Sequence, residues 1–336
     1  VAAEQRELWD TFVNEHPYGH MLQCWAWGDI KADSGWQPLR LALWDQELGR
    51  IVAGAQVLRR TAPRVPLWAG HLAYIPKGPV LDWTQGGLCA RFFAELATYL
   101  RRHGAIALRF EPPLVTETPE EQSLYVQLKA FPAHPIHPLQ PLRTIMVDLE
   151  ADEDELRRRM KEKWRYNIGL AARKGVGIRA AETAEDVRRW YELLKVTGAR
   201  DQFGVHTLDY YLLAWRLLSA RNSVRLLLAE HEGQLLAGIF VTLYAHEGIY
   251  MYGASSNEHR NLMPNYLLQW EAMRWAKSLG ARQYDLWGIP DTDNEDEAMA
   301  GVYRFKSGWG GGVLRFVGGY EQVYRPLTMR LARRFL

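Results

Sequence analysis

Two stretches of this chain copy one another. Glu47-Leu48-Gly49-Arg50-Ile51-Val52-Ala53-Gly54 returns as Glu232-Gly233-Gln234-Leu235-Leu236-Ala237-Gly238, in register at Gly49/Gly233 and Gly54/Gly238. Each copy follows an apolar run (39–44; 224–229) and leads into another (55–58; 239–244). A second echo comes later. Ala94-Glu95-Leu96-Ala97, then His103-Gly104-Ala105 and a strand over 106–110, match Ala272-Met273-Arg274-Trp275-Ala276, then Leu279-Gly280-Ala281 and a strand over 283–287. The order strand, glycine turn, strand, strand, helix, Gly-Ala, strand therefore occurs twice. A repeated unit predicts two domains of one kind, and clefts where domains meet are where ligands tend to bind.

At 336 residues the chain is long enough for two cores. The net charge of +2 means that any nucleic-acid contact must come from a local patch. Fourteen tryptophans supply either large core residues or platforms for rings. Cys24 and Cys89 stand alone, outside any Cys-x-x-Cys spacing, which predicts a reduced, cytoplasmic protein. No apolar signal core opens the chain, and no run of about 18 apolar residues predicts a membrane span. His134 and His137 lie in a Pro- and His-rich stretch over 112–141 with no partner at metal-ligand spacing, so no metal and no cofactor are expected.

Apolar periodicity predicts helices over 4–15, 23–31, 88–103, 184–198 and 207–220, and a short helix over 120–129. Strands are expected over 39–44, 51–58, 105–110, 144–149 and through the second copy, with an acidic loop over 291–297. Strands mixed with helices and hairpins argue for an α/β (α+β) chain with mixed sheets. The expected domains are 1–143 plus 318–336, and 144–317. Residues 156–179 hold nine basic side chains and one acidic one, and read as a single basic helix capped by Asp152. Its charges suit nucleic-acid phosphates, and Arg157, Lys161, Trp164, Ile168 and Ala171 fall roughly on one face.

Hairpin, strand, helix, strand resembles the core of the GNAT acyltransferase fold, in which the strand before the main helix splays from its neighbour to admit an acyl donor. Coenzyme A binding in that fold uses Arg/Gln-x-x-Gly-x-Gly/Ala at the helix N-terminus, where backbone N–H groups favour anions. Here the equivalent stretches are Arg260-Asn261-Leu262-Met263-Pro264-Asn265 and Gln85-Gly86-Gly87-Leu88-Cys89-Ala90. Side chains at the small positions would crowd a pyrophosphate, so the scaffold is read as one that has lost coenzyme A.

A more specific resemblance runs along nearly the whole chain, in order. It is carried by His16-Pro17-Tyr18-Gly19 with Trp27-Gly28-Asp29-Ile30-Lys31, and by Lys77-Gly78-Pro79. Lys163-Trp164-Arg165-Tyr166-Asn167-Ile168 with Ala171, Lys174, Gly175 and Val176 comes next, then Tyr252-Gly253-Ala254-Ser255 and Pro264-Asn265-Tyr266-Leu267-Leu268-Gln269-Trp270. Tyr284-Asp285-Leu286-Trp287-Gly288-Ile289 and Phe305-Lys306 complete it. The chain resembles the FemABX family of non-ribosomal peptidyl transferases, which move an amino acid from aminoacyl-tRNA onto a peptidoglycan precursor. No roughly 50-residue heptad stretch lies between Ala180 and Val224, so the family's coiled-coil arm is expected to be absent. That resembles the compact members, whose acceptor is soluble UDP-MurNAc-pentapeptide. A cytoplasmic monomer is expected.

The resemblance implies roles for particular residues. Lys306, after Phe305 and before a glycine-rich turn where backbone can approach a ligand closely, would serve the tRNA 3′ end and the developing oxyanion. Lys31 and His206 would hold the precursor's diphosphate; His206 stands where compact members have arginine, and Arg200 could supply the charge instead. Tyr74, Lys77, Tyr210, Tyr250, Tyr252 and Asn265 would contact the precursor. Tyr250 and Tyr252 alternate with Met251, which places both on one strand face. Asn265 reads as a helix N-cap. Glu111, at a strand end, could take the attacking amine's proton or position the amine, and Asp285 reads as structural. Arg157, Arg158, Lys161, Lys163, Arg165 and Arg304 would meet the tRNA. Two other readings stay open: an acyltransferase with another donor, such as an acyl carrier thioester, and a non-catalytic RNA- or precursor-binding module.

Overall fold

The computed structural model describes residues 1–61, 70–116, 123, 124, 128, 131–292 and 300–333. The expected helix over 120–129 and the acidic loop over 291–297 lie largely outside these residues. The chain forms two compact units, Val1–Leu142 with Leu314–Leu336, and Arg143–Val313. The return to the first unit comes four residues earlier than the sequence suggested. Hydrogen bonds from Thr116 N to Arg315 O (3.0 Å), Phe316 N to Leu142 O (2.8 Å) and Val317 N to Leu114 O (2.9 Å) tie those residues to the first unit.

In the first unit, β1 (Gln37–Asp45), β2 (Arg50–Arg60), β3 (His71–Ile75), β4 (Val80–Leu81), β5 (Ala105–Phe110), β6 (His134–Ile136) and β14 (Gly319–Val323) make one sheet. Its order is β1-β2-β3-β5-β14-β6, with β4 paired to β2. In the second, β7 (Arg143–Asp148), β8 (Gly177–Ala180), β9 (Val224–His231), β10 (Gln234–Tyr244), β11 (Glu247–Ser255), β12 (Gln283–Asp285) and β13 (Gly312–Arg315) run β13-β7-β12-β11-β10-β9-β8. The two orders superpose strand for strand: β1 on β9, β2 on β10, β3 on β11, β5 on β12, and β14 on β7. In each sheet the equivalent pair β3/β5 or β11/β12 is parallel, and its hairpin partners are antiparallel. The repeat seen in the sequence is thus a repeat of topology. Among the described residues no helix is long and apolar enough to cross a membrane.

The repeated glycines have two different reasons. Gly49 and Gly233 take φ of +61° and +80° in the hairpin turns, a conformation that costs glycine least. Gly54 and Gly238 make room for a tryptophan on a helix packed over the sheet. A Cβ on Gly54 would sit 3.0 Å from Trp9, on the helix Arg6–Glu15; one on Gly238 would sit 2.5 Å from Trp190, on Ala184–Asp201. The Trp190 indole also donates to the Gly238 carbonyl at 3.1 Å. Gly238→Val should therefore destabilise the second unit by about 1–3 kcal/mol, read as a lowered denaturant midpoint.

The basic run is not one helix. It breaks into Glu153–Arg159 and Glu162–Arg173, then turns at Gly175 into β8. Met160 and Lys161 take extended ψ of 150° and 144°. No proline or glycine marks the break. Its cause is a tertiary hydrogen bond, from Lys161 N to Gly308 O at 2.9 Å, which occupies backbone that a continuous helix would use.

The parallel pairs differ in one respect. β3 and β5 pair along their length, and the zipper continues with Glu111 N to Ile75 O (3.0 Å) and Gly78 N to Glu111 O (2.9 Å). β11 and β12 pair only over Glu247–Ile249 and Gln283–Asp285, after which β11 runs on to Ser255 paired with β10 and no longer with β12. Among the described residues, the splay expected of an acyltransferase core is therefore open in the second unit and closed in the first.

Candidate active site

Lys306 lies in the open wedge of the second unit. It is the last residue of the helix Ala300–Lys306 and is only 7% exposed. Its ammonium donates to the carbonyls of Gly288 (2.7 Å) and Trp287 (3.3 Å), just beyond the end of β12. It also sits 5.6 Å from the Tyr250 ring centroid on β11. Burial pushes its pKa down to about 8, and Asp285 opposes that shift.

Those carbonyls are held in place from below. Trp287 adopts φ of +61°, a left-handed conformation that is rare for a bulky residue. Its N–H donates to Asp285 Oδ1 at 2.7 Å, and Asp285 is buried and accepts the Thr144 hydroxyl. Asp285 is structural, as its pattern suggested, and its structural task is to fix the turn that receives Lys306. On the other flank Phe305 packs against Tyr266 and Trp309, at 5.4 and 5.7 Å between ring centroids. The Phe305 carbonyl accepts the Trp164 indole N–H at 3.0 Å. A Cβ on Gly308 would lie 2.1 Å from Trp164, so the glycine lets this tryptophan in.

The tyrosines correct the expectation that they share a face. Phe240 opposes Tyr252 and Val241 opposes Tyr250, leaving Met251 as the extra residue of a β-bulge. Tyr250 joins the core on the Lys306 side. Tyr252 packs on the other side, against Phe240 (5.9 Å) and Tyr211 (5.2 Å), with its hydroxyl 3.2 Å from that of Tyr210. His206 is exposed and stacks on Tyr210 at 4.1 Å. The structure thus brings His206, Tyr210 and Tyr252 together and sets Tyr250 with Lys306.

Arg200 is a poor diphosphate ligand as it stands. Its guanidinium is engaged by Asp201, by Ser255 and by Asn257 (2.9 Å). Asn265 does not cap its helix either. Helix Pro264–Ser278 begins at Pro264, and its N-cap is Met263 at φ +56°. Proline is favoured at the first helical position, which moves the cap two residues upstream of Asn265. Met263 occupies the first glycine position of the coenzyme A signature in a backbone state that favours glycine.

The first unit holds a second cluster, at the closed end of β3 and β5. Glu111 Oε1 accepts from the Tyr74 hydroxyl (3.0 Å) and Leu139 N (2.8 Å), and Oε2 accepts from Gln140 N (2.9 Å). The Gln140 amide donates to the Tyr74 oxygen at 3.0 Å. Burial raises the Glu111 pKa against these bonds and the Lys77 charge; burial and then the Glu111 charge push Tyr74 up. Lys77 is buried, with its ammonium 2.9 Å from the Phe316 ring centroid. Lys31, in the last turn of the helix Trp25–Asp33, lies 4.4 Å over Trp27, and burial pushes its pKa down to about 8.

All six cations assigned to tRNA are exposed. Arg157 covers the Trp270 ring at 4.8 Å, Arg158 pairs with Glu155, and Arg165 donates to the carbonyls of Arg158 and Met160. Lys161 Nζ reaches Ser307 Oγ at 3.4 Å, one residue from Lys306, and Arg304 and Lys163 complete the set. Within the basic run, Trp164, Ile168 and Ala171 are buried while Arg157 and Lys161 are not, so the shared face divides into core and surface. Gln140, Thr144 and the Trp287 carbonyl were not singled out from the sequence. Only Trp287 carried a signal, as part of the motif 284–289.

The FemAB family model matches residues 5–229 and 216–335. The chain belongs to the FemAB family. It is similar to the lipid II:glycine glycyltransferases of Staphylococcus epidermidis and Staphylococcus aureus, with 23% identity to each over 94% of this chain and 90% of theirs. The S. epidermidis alignment spans 381 positions, more than the 336 residues here, so that relative carries residues this FemAB chain lacks. Among solved structures, FemX matches with a TM-score of 0.89 and 22% identity, covering 97% of this chain and 98% of FemX. A tandem GNAT protein from the clavulanic acid pathway matches with a TM-score of 0.52 and 13% identity, over 95% of each chain. The fold is therefore a pair of GNAT-like units. Between β8 and β9 this member has two helices, Ala184–Asp201 and Leu208–Ser219, with buried faces.

Proposed function

We propose that this aminoacyltransferase takes an amino acid from aminoacyl-tRNA and joins it to the side-chain amine of the stem peptide of a peptidoglycan precursor, building the interpeptide bridge. The observation that carries the reading is Lys306, a buried ammonium in the open wedge where the GNAT fold admits its acyl donor. The reaction is aminolysis of an activated ester. The neutral amine attacks the ester carbonyl, the carbonyl electrons move onto oxygen, and the intermediate collapses with loss of the tRNA ribose hydroxyl. One proton leaves the amine and one reaches the departing oxygen. A preorganised donor aimed at the oxyanion is the main need, and a protonated lysine in a dry site meets it.

In this reading the second unit takes the donor and the first takes the precursor, through Lys31, Tyr74 and Lys77. The acceptor is UDP-MurNAc-pentapeptide, which fits the arm-free architecture and the FemX likeness. The staphylococcal relatives' activity on lipid II favours a second reading, in which the same stem peptide is presented on a lipid carrier. Incubating the purified protein with radiolabelled aminoacyl-tRNAs and each precursor tests both. Transfer to the stem peptide is expected. Failure with every charged tRNA on both acceptors would sink the proposal and return an acyl carrier thioester donor, or a binding module, to first place.

The tRNA side has its own measurement. Arg157→Glu with Arg158→Glu should weaken tRNA binding and flatten the slope of log K against log salt by about 0.7–0.9 per lost phosphate contact. An unchanged slope would place the tRNA elsewhere.

A further inference from the structure

The helix Pro326–Ala332 of the first unit is apolar on two opposite faces. Met329 and Ala332 are buried, packed with Leu72, Ile106 and Ala107 of the sheet. Leu327 and Leu331, four residues apart, stand 77% and 60% exposed. At 3.6 residues per turn these two form one ridge, on the side away from Met329 and Ala332. A helix apolar on both faces calls for a second cover.

The surroundings of that ridge are cationic. Arg325 and Arg330 are exposed beside it. Tyr324 N and Arg325 N both donate to Ile106 O, which fixes the start of the helix at one end of the sheet. β2 ends there at Arg60, β3 begins there at His71, and Arg101, Arg102 and His103 lead into β5. Arg101 lies over the Tyr324 ring at 5.0 Å. Burial, and after it the nearby charges of Arg59 and Arg325, push the His71 pKa down to about 4. No Asp or Glu occurs in 50–61, 70–80, 100–110 or 322–333. Arg333 is not counted, because it pairs with buried Glu321 at 2.7 Å.

We propose that this end of the first unit docks on an anionic bilayer surface, with Leu327 and Leu331 entering the acyl boundary and the surrounding arginines meeting lipid phosphates. An apolar ridge bordered by cations is the composition of an interfacial helix. RNA would satisfy the arginines but leaves the leucines without a purpose. A second copy of this face would set arginine against arginine across a two-fold axis.

Co-sedimentation of the full chain with vesicles tests the inference without tRNA or precursor, so its failure and that of the transfer reading are separate events. Binding is expected to phosphatidylcholine vesicles containing phosphatidylglycerol, to fall with salt, and to be weak on phosphatidylcholine alone. Leu327→Glu with Leu331→Glu, and separately Arg325→Glu with Arg330→Glu, should each lower the vesicle partition coefficient about tenfold or more. All four side chains are exposed, so the variants should melt like the parent. Equal partition of parent and variants, or no binding to anionic vesicles, overturns the proposal. So does a concentration-dependent dimer lost in the leucine variant, or a loss of tRNA binding in the arginine variant with vesicle binding intact.

Discussion

Lys306→Met is expected to cut the rate of aminoacyl transfer by about 10²–10³-fold, with precursor affinity unchanged. Methionine keeps an unbranched side chain of similar length in the pocket and removes only the donor. The carbonyls of Trp287 and Gly288 lose their partner, a modest stability cost that a melting curve separates from the rate effect. The native enzyme should also show a pH profile of predictable shape. Lys306 is a cation below its pKa of about 8 and neutral above it, so the oxyanion donor is lost as pH rises through that value. The attacking amine pulls the other way, because it must be neutral and its ordinary pKa is about 10.4. The rate should therefore stop rising at pH about 8 and stay level to pH about 10, where the loss of the donor offsets the gain in nucleophile. Normal turnover in the methionine variant, or a rate that climbs steadily to pH 10, would remove Lys306 from the chemistry.

Glu111→Ala should destabilise the first unit by about 3 kcal/mol, measured by denaturant titration. The carboxylate ties together Tyr74, Leu139 and Gln140, and it is a counter-charge for buried Lys77. Its removal strands a buried phenol and two half-buried backbone N–H groups. That cost would mark Glu111 as a positioning residue for the 139–140 turn, with three hydrogen bonds already accepted. A general base would behave in the opposite way, with stability kept and transfer lowered by about 10²–10⁴-fold. The pair of measurements decides between the two roles that the strand-end position left open.

The difference between what could be read and what could not follows the range of the interactions. Gly49/Gly233 and Gly54/Gly238 were legible because turn chemistry and a close tryptophan leave a mark at one residue. The same holds for the amphipathic helices. The break at Met160–Lys161 left none, since its cause is the Gly308 carbonyl, 147 positions away in sequence. The bulge at Met251 was equally hidden. Strict alternation put Tyr250 and Tyr252 on one face, and one extra residue in the ladder parted them. Burial of Lys306 was invisible for a similar reason: a lysine before glycines reads as solvated until the strands around it are seen to diverge.

The position of β14 bears on the order in which the protein can be finished during synthesis. This strand lies inside the first sheet, between β5 and β6, and is read from residues 319–323. The first sheet therefore cannot close until the chain has been made through residue 323. The second unit needs only 143–313 and can close sooner, reversing the usual N-to-C sequence of domain folding. Until then β5 and β6 wait with unpaired edges, and buried Glu321 has yet to meet Arg109 and Arg333. A nascent chain stalled before Gly319 would carry a completed lysine wedge in its second unit and an open sheet in its first.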